Sequence, residues 1–253
     1  MKLFTLIFII IQIYSLVLTN EQGTLCQSGR AQSPIFIDLS QTIYGSYPSL
    51  MFSSGYRQSI VLEVSNKNYE TIFIKPIFQS QKALLVSGGS LSGIFTFQSV
   101  HLHWPQSEHR FSKKNYTAEA HFIHKNLITN ETAVFAYFFT SADSHSQEDS
   151  NEINNWNFLL QKFTTNNANI TIKDGLISLM IGNKNQFVQY IGSLTTSPCT
   201  EGIHWILFSS AIGLDDTNLN RLRTNIVTTN YRDTQPLNGR IVRRSFPSTS
   251  WNT

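Results

Sequence analysis

The 253-residue chain is poor in charged residues, in cysteine and in long hydrophobic runs. Charged residues make up 14% of it and hydrophobic residues 41%, which excludes a disordered chain, because disordered chains are rich in charge and poor in apolar residues. The 19 basic and 16 acidic residues give a net charge of +3, which offers no electrostatic argument for a nucleic-acid partner. The sequence has neither an internal repeat nor an acidic segment, and its length predicts one large domain or two small ones.

The one long apolar run is at the N-terminus. Residues 3–18 are almost wholly apolar, follow a single lysine, are interrupted by Gln12 and end before the polar Thr19. This pattern is typical of a secretory signal peptide over residues 1–19, followed by a mature domain over 20–253. A retained membrane anchor is the alternative, although such anchors need about 20 apolar residues. We expect a secreted, extracellular protein with no membrane span after cleavage.

The expected secretion decides how the two cysteines and the three N-glycosylation sequons are interpreted. Cys26 and Cys199 are expected to pair under oxidising conditions, and two buried free thiols are the alternative. The chain-entropy model gives such a crosslink roughly 5 kcal/mol. The candidate N-glycosylation sites in a secreted protein are Asn115, Asn130 and Asn169.

Strand patterns dominate the remainder of the chain. β-Branched and aromatic residues bounded by Gly, Asn, Ser and Pro predict strands over 59–64, 70–78, 95–104, 118–123, 132–140 and 203–209. The run 132–140 is almost wholly apolar, which predicts a central strand covered on both faces. Helical spacing is confined to 150–163 and 215–224. We expect a mainly β (α+β) fold with peripheral helices.

Three histidines in neighbouring strand patterns could bind a metal ion. His101 and His103 are two residues apart in a strand and therefore share a face, although a lone His-X-His is more often a polar strand face. His121 lies in the next strand pattern, after a polar, turn-forming loop, so antiparallel pairing can bring it beside the other two. Three imidazoles with an open fourth position are typical of catalytic zinc.

Glu108 and Thr195 could complete a mechanism at such a site. A threonine hydroxyl that accepts a hydrogen bond from a hydroxide can donate its own O–H onward, and a carboxylate can only accept that hydrogen bond. Taken singly, each residue has a simpler interpretation, Glu108 as a surface acid and Thr195 as a turn residue.

The combination of these motifs resembles the α-class carbonic anhydrases over roughly residues 26–246. The motifs that carry the resemblance are Gln32-Ser33-Pro34-Ile35, His101-Leu102-His103-Trp104, Ser107-Glu108-His109, Ala118-Glu119-Ala120-His121, Gly192-Ser193-Leu194-Thr195-Thr196, Trp205 and Gln235-Pro236-Leu237-Asn238-Gly239-Arg240. Cys26 and Cys199 resemble the disulfide of the secreted branch. The resemblance implies a single domain around a central, mostly antiparallel twisted β-sheet, with zinc at the base of a conical cleft.

The resemblance also implies a reaction and a set of roles. The reaction is the reversible hydration of CO₂ to bicarbonate and a proton by zinc-hydroxide attack, which makes the chain a zinc-dependent lyase. The implied roles are zinc ligation by His101, His103 and His121, catalysis by Thr195 and Glu108, orientation of ligand histidines by Glu119 and Ser99, a structural role for Arg232, a place at the cleft wall for Thr196, and an apolar CO₂ wall of Ile123, Val134, Leu194, Ile203 and Trp205. Water and sulfonamide inhibitors are further expected partners. We expect the protein to be a monomer.

The sequence departs from the family pattern in three places. Only residues 20–25 of the expected mature chain precede Cys26, Ser99 stands where the family has glutamine, and the segment 66–69 has no histidine, with Asn68 the nearest match. We therefore assign no proton shuttle. A catalytically weak or inactive relative acting as a binding or adhesion module is the first alternative, and a mineral-associated matrix protein is the second. Inactive relatives typically lose a ligand histidine, whereas this chain keeps all three.

Overall fold

The computed structural model describes residues 25–67, 71–77, 83–112, 114–141, 151–162, 168–180, 184–225 and 229–247. The predicted signal peptide and Asn68 lie outside these residues. The strands are β1 (Phe36–Ile37), β2 (Ile43–Tyr44), β3 (Met51–Phe52), β4 (Ile60–Lys67), β5 (Thr71–Pro76), β6 (Leu85–Ser87), β7 (Phe95–His103), β8 (Arg110–Phe111), β9 (Ala118–Asn126), β10 (Thr132–Ser141), β11 (Ala168–Ile172), β12 (Phe187–Ser193), β13 (Glu201–Leu214) and β14 (Arg243–Arg244). The helices are α1 (Asn151–Lys162) and α2 (Asp216–Asn225), with 3₁₀ turns at Leu39–Gln41, Ser54–Arg57 and Leu176–Leu179.

One large twisted sheet contains twelve of the described strands. Its order is β11-β4-β5-β7-β9-β10-β13-β12-β14-β2, with β3 and β6 attached beside β7. Most neighbours are antiparallel, and the β10–β13 and β14–β2 pairs are parallel. β1 and β8 form a separate parallel pair. The prediction of a mainly β fold around a mostly antiparallel sheet is confirmed.

The predicted long elements match the observed ones. The six predicted strands correspond to β4, β5, β7, β9, β10 and β13, and the two helices begin and end within one residue of the prediction. β10 lies between β9 and β13, and all its residues from Thr132 to Thr140 are buried, as a central strand requires. The two-residue strands were not predicted, because tertiary contacts rather than a local pattern define them. The longer strands β6, β11 and β12 were missed as well.

The central strands divide the core into two apolar clusters. Val100 and Leu102 of β7 point into the larger cluster, which Trp156 and Leu159 of α1 cover. A smaller cluster contains Trp205. Because side chains alternate along a strand, His101 and His103 face away from Val100 and Leu102, to the side of the sheet where Trp205 lies.

The first described residues are crosslinked to the loop after β12. Cys26 and Cys199 form the disulfide that the sequence predicted. The carbonyl oxygen of Cys26 accepts a hydrogen bond from Arg232 (2.7 Å), and that of Cys199 accepts one from Gln32 (3.1 Å). None of the helices in the described part of the chain is long and apolar enough to cross a membrane.

Candidate metal centre and active site

The structure brings the three predicted ligand histidines together on β7 and β9. In the antiparallel register of these strands, His101 lies directly opposite His121, and His103 follows two residues along. One nitrogen from each ring lies within 4.8 Å of the others. His103 and His121 are buried, at 3% and 1% exposure, while His101 is half-buried. The arrangement presents three imidazoles to one point.

Asn230 fixes the orientation of His103. The His103 Nδ1–H donates to the carbonyl oxygen of Asn230 at 2.5 Å, so Nε2 keeps its lone pair. The Asn230 side chain donates to Leu102 O (2.9 Å) and accepts from Trp104 N (2.6 Å), which holds the end of β7 in place. Sequence reasoning missed Asn230, because it lies 127 positions away, and its only signal was its position two residues before Arg232.

Glu119 fixes the orientation of His121. The His121 Nε2–H donates to Glu119 Oε1 at 2.7 Å, which leaves Nδ1 free to bind a metal ion. Burial lowers the pKa of His121, which favours the neutral ring that metal binding requires. Burial also opposes ionisation of Glu119, but the hydrogen bonds that His109 and His121 donate hold the pKa of this carboxyl well below its usual range.

A buried chain of hydrogen bonds continues from Glu119 to β12. The His109 N–H and Nδ1–H both donate to Glu119 (2.8 and 2.7 Å), and the hydroxyl of Tyr190 lies 2.7 Å from His109 Nε2. Tyr190 also lies 2.7 Å from Ser33 Oγ, which accepts from Ser193 N at 3.0 Å. Because this chain begins at a backbone N–H and ends at a carboxylate, each hydroxyl and ring has one possible donor direction.

Gly192 is required where this chain of hydrogen bonds passes β12. A Cβ atom at Gly192 would lie 2.1 Å from Ser33 Oγ and 2.7 Å from the Tyr190 ring. This close approach explains the glycine in the motif that leads to Thr195. Sequence reasoning placed Gly192, Ser193 and Ser33 in motifs but assigned them no role, and it missed Tyr190.

Glu108 lies on the side of the histidines opposite to Glu119 and is also buried, at 1% exposure. Its Oε1 accepts from Arg232 N at 2.8 Å. Its Oε2 lies 3.3 Å from His103 Nε2 and 3.9 Å from His121 Nδ1. Both Glu108 Oε2 and His103 Nε2 are buried without a hydrogen-bond partner. A lone pair and a carboxylate that face each other in this way are stabilised by a cation between or beside them.

A cavity of about 510 Å³ adjoins Glu108. It is lined by Glu108, Thr195, Thr196 and the segment 229–232. Thr195 is half-buried and Thr196 is exposed. Glu108 Oε2 has no hydrogen-bond partner among the described residues, so the predicted bond between Thr195 and Glu108 stays a prediction. Thr229 and Tyr231 are lining residues that sequence reasoning missed.

Comparison with known proteins identifies the family to which this arrangement belongs. A model of the eukaryotic-type carbonic anhydrase family matches residues 19–246, which is most of the chain. The chain belongs to the carbonic anhydrase family. A carbonic anhydrase of Neisseria gonorrhoeae is 26% identical over 88% of this chain and 81% of its own length, and mouse carbonic anhydrase 7 is 27% identical over 86% and 89%.

Solved structures of carbonic anhydrases have the same fold. The α-carbonic anhydrase of Thermovibrio ammonificans, in complex with the inhibitor sulfanilamide, superimposes with a TM-score of 0.71, covers 88% of this chain and 90% of its own, and is 25% identical. The α-carbonic anhydrase of Photobacterium profundum gives a TM-score of 0.69 at 25% identity, covering 87% and 92%.

The five residues that the family resemblance assigns to an apolar CO₂ wall lie together. They belong to or pack against the smaller apolar cluster: Val134, Ile203, Trp205, Ile123 and Leu194. The Trp205 ring is 4.8 Å from that of His121, and its Nε1–H donates to Ser193 O at 3.0 Å. An apolar wall therefore adjoins a predicted ligand.

The remaining predicted residues lie in varied settings. A bulge in β7 turns Gln98 outward and leaves Ser99 buried, but the Ser99 hydroxyl makes no hydrogen bond with any described residue, so its role in orienting a ligand stays a prediction.

Arg232 links Glu108 to Ser33 O (2.8 Å) and to the disulfide, as a structural arginine would. The sequon asparagines Asn115, Asn130 and Asn169 are all exposed.

Proposed function

We propose that this chain catalyses the reversible hydration of CO₂ to bicarbonate and a proton as a zinc-dependent carbonic anhydrase. The observation that carries the proposal is the convergence of His101, His103 and His121 with one nitrogen each within 4.8 Å. Membership of the family supports the same reaction. Retention of all three histidines disfavours an inactive relative that acts only as a binding module.

The donor set fits zinc. Three neutral imidazole nitrogens suit zinc better than calcium or magnesium, which prefer oxygen ligands. The unpartnered, buried Nε2 of His103 is an acceptor that a metal ion satisfies, and its tautomer is already fixed by Asn230. Bound zinc supplies Lewis acidity, which in the carbonic anhydrases lowers the pKa of water at the metal to about 7.

The side chains around the metal would orient the reactants. We infer that the Thr195 hydroxyl donates a hydrogen bond to Glu108, whose carboxylate can only accept, so the threonine oxygen is itself left as an acceptor toward the reacting oxygen. The unpartnered Oε2 of Glu108 is available for this bond. The wall around Trp205 offers CO₂ an apolar surface that makes no competing hydrogen bonds. Bicarbonate would leave through the cavity at Thr196.

We also propose that the protein is secreted and that sulfonamides inhibit it. The Cys26–Cys199 disulfide is typical of an oxidising compartment, and the three exposed sequons are compatible with passage through it. A related carbonic anhydrase binds sulfanilamide. We propose that the secreted form is a monomer, which sedimentation analysis tests.

The test is stopped-flow CO₂ hydration by protein whose zinc content has been measured. We expect about one zinc per chain, activity that depends on it, and inhibition by sulfanilamide. Protein that carries one zinc per chain but hydrates CO₂ no faster than buffer would instead support the binding module. Full activity in protein without metal would exclude the proposed mechanism.

A further inference from the structure

One peptide group lies between two of the proposed metal ligands, and its carbonyl oxygen is held from two directions. Leu102 separates His101 from His103 on β7, and its side chain is fully buried in the larger apolar cluster. The hydroxyl of Thr71, on β5, donates a hydrogen bond to Leu102 O at 2.6 Å. Asn230 Nδ2 donates to the same oxygen at 2.9 Å. Thr71 is thereby connected to the metal centre through the backbone of β7.

The Thr71 hydroxyl continues the contact between β5 and β7 beyond the paired positions of these strands. Their antiparallel pairing ends, in the described part of the chain, where Phe73 lies opposite His101. Leu102 is the next residue of β7, and there the side chain of Thr71 bonds its oxygen. The same hydroxyl lies 3.2 Å from Ile72 O, so its single proton favours the shorter contact with Leu102. Because a β-branched side chain has few χ1 rotamers, the backbone of β5 decides where this hydroxyl lies.

We propose that Thr71 is a positioning residue of the metal centre. The proposal rests on the proposed function, since it concerns the ligands of the zinc ion. The peptide group between Leu102 and His103 is planar, so the direction of Leu102 O also sets the direction of the backbone that carries the His103 ring. Donors from two segments hold this group in one orientation and keep the rings of His101 and His103, whose centroids are 5.0 Å apart, directed at one point.

Asn230 is the second donor and makes the two contributions interdependent. Besides its bond to Leu102 O, its side chain accepts from Trp104 N at 2.6 Å, and its carbonyl oxygen accepts from His103 Nδ1. Loss of either donor leaves Leu102 O with the other one. Loss of both removes the two side-chain donors from the carbonyl of a fully buried residue, which costs more than the loss of one. Substitutions of Thr71 and Asn230 should therefore not be additive.

The experiment compares zinc affinities, measured by competition with a chelator. Thr71→Val keeps the β-branched shape but removes the hydroxyl, and it should weaken zinc binding about fivefold, because Asn230 still holds the oxygen. Thr71→Ser keeps the hydroxyl and should stay within about twofold of wild type. Thr71→Val combined with Asn230→Ala should lose more affinity than the product of the two single losses.

Two further measurements separate positioning from general stability. A merely structural Thr71 would change the denaturant unfolding of the metal-free protein without changing its zinc affinity. The visible absorption of cobalt-substituted protein depends on the geometry of the ligands, so it should change in Thr71→Val and be restored in Thr71→Ser. The matched control is Thr96→Val, at a half-buried threonine of β7 whose hydroxyl makes no hydrogen bond with any described residue. This control should leave zinc affinity and the cobalt spectrum unchanged.

The outcomes distinguish this proposal from the proposed function. Wild-type zinc affinity and an unchanged cobalt spectrum in Thr71→Val would overturn the role of Thr71, even if the variant were less stable. Equal losses of affinity in Thr71→Val and Thr71→Ser, or in Thr71→Val and Thr96→Val, would overturn it as well, because the hydroxyl would then not be the cause. Unsubstituted protein that binds no zinc would contradict the proposed function together with this role.

Discussion

The two sides of the histidine cluster differ in how completely their polar groups are paired. On one side, Glu119 accepts three hydrogen bonds and connects through His109 and Tyr190 to β12. On the other side, Glu108 is held by a single bond from Arg232 N, and its second oxygen has no partner. Both carboxylates are almost fully buried, at 0% and 1% exposure.

We infer from this difference that the Glu119 side positions the proposed ligands, whereas the Glu108 side takes part in the proposed reaction. A saturated network leaves each group one arrangement, so the Glu119 side can hold His121 in one tautomer and orientation. A buried carboxylate oxygen without a partner is costly and is retained where a ligand or reacting group completes it. The Glu108 side is open in this sense, and it adjoins the cavity that contains Thr195. Substitutions on the two sides should therefore fail differently.

The largest effect should come from removing one of the three proposed metal ligands. His103→Ala should abolish CO₂ hydration and lower zinc content far below one per chain, because two imidazoles do not complete the site. Metal analysis and stopped-flow kinetics measure both. His204→Ala is the control, since this half-buried histidine lies beside Glu131 and away from the cluster. Full activity of His103→Ala without zinc would contradict the assignment of ligands.

Thr195→Ala should affect the open side alone. We expect turnover to fall roughly 10²-fold with zinc content unchanged, because an orienting hydrogen bond is lost while the ligands remain. Thr200→Ala, at an exposed threonine five residues on, should retain wild-type turnover. Zinc loss in Thr195→Ala would place this residue on the positioning side and undo the comparison.

Exchange of each carboxylate for its amide tests the comparison directly. Glu119→Gln should weaken zinc binding about 10- to 100-fold, because an amide has a single acceptor oxygen and must turn its NH₂ either toward the two ring N–H donors at Oε1 or toward the His109 backbone N–H at Oε2. Glu108→Gln should retain zinc but lower turnover, since its amide can donate a hydrogen bond to Thr195 and so reverse the required direction of the bond between these two side chains. Competition with a chelator measures the zinc affinity of each variant. Equal losses of affinity in the two variants would show that the sides are not distinct.

Sequence reasoning found the parts of the molecule that local patterns encode. The period-two spacing of His101 and His103, and the loop before His121, sufficed to predict that the three histidines could share one face of paired strands. The family resemblance then assigned them to zinc. The apolar run 132–140 sufficed to predict the central strand. Family resemblance assigned roles to Glu108, Glu119 and Thr195, which have no periodic pattern of their own.

The parts that sequence reasoning missed depend on long-range contacts. Asn230 meets His103 from 127 residues away, and Ser33 meets Tyr190 from 157 residues away. A single asparagine or tyrosine in a loop or strand has no periodicity that would reveal such a partner. The unpartnered oxygen of Glu108 is likewise a property of the packed structure, because only the folded chain decides which buried atoms find a donor.

The smallest effect should come from the far end of the saturated side. Tyr190→Phe keeps the ring but leaves His109 Nε2 without a donor and Ser33 Oγ without its acceptor, both fully buried. We expect the free energy of unfolding to fall by about 1–3 kcal/mol, and zinc affinity to fall a few-fold at most, because His109 then orients Glu119 less firmly. Turnover at saturating zinc should stay close to wild type. The matched control is Tyr137→Phe, whose hydroxyl is buried with no partner to lose, so its removal should leave stability equal or higher. Denaturant unfolding of both variants measures the difference, and equal stabilities would show that the hydrogen-bonded chain through Tyr190 contributes nothing beyond ring packing.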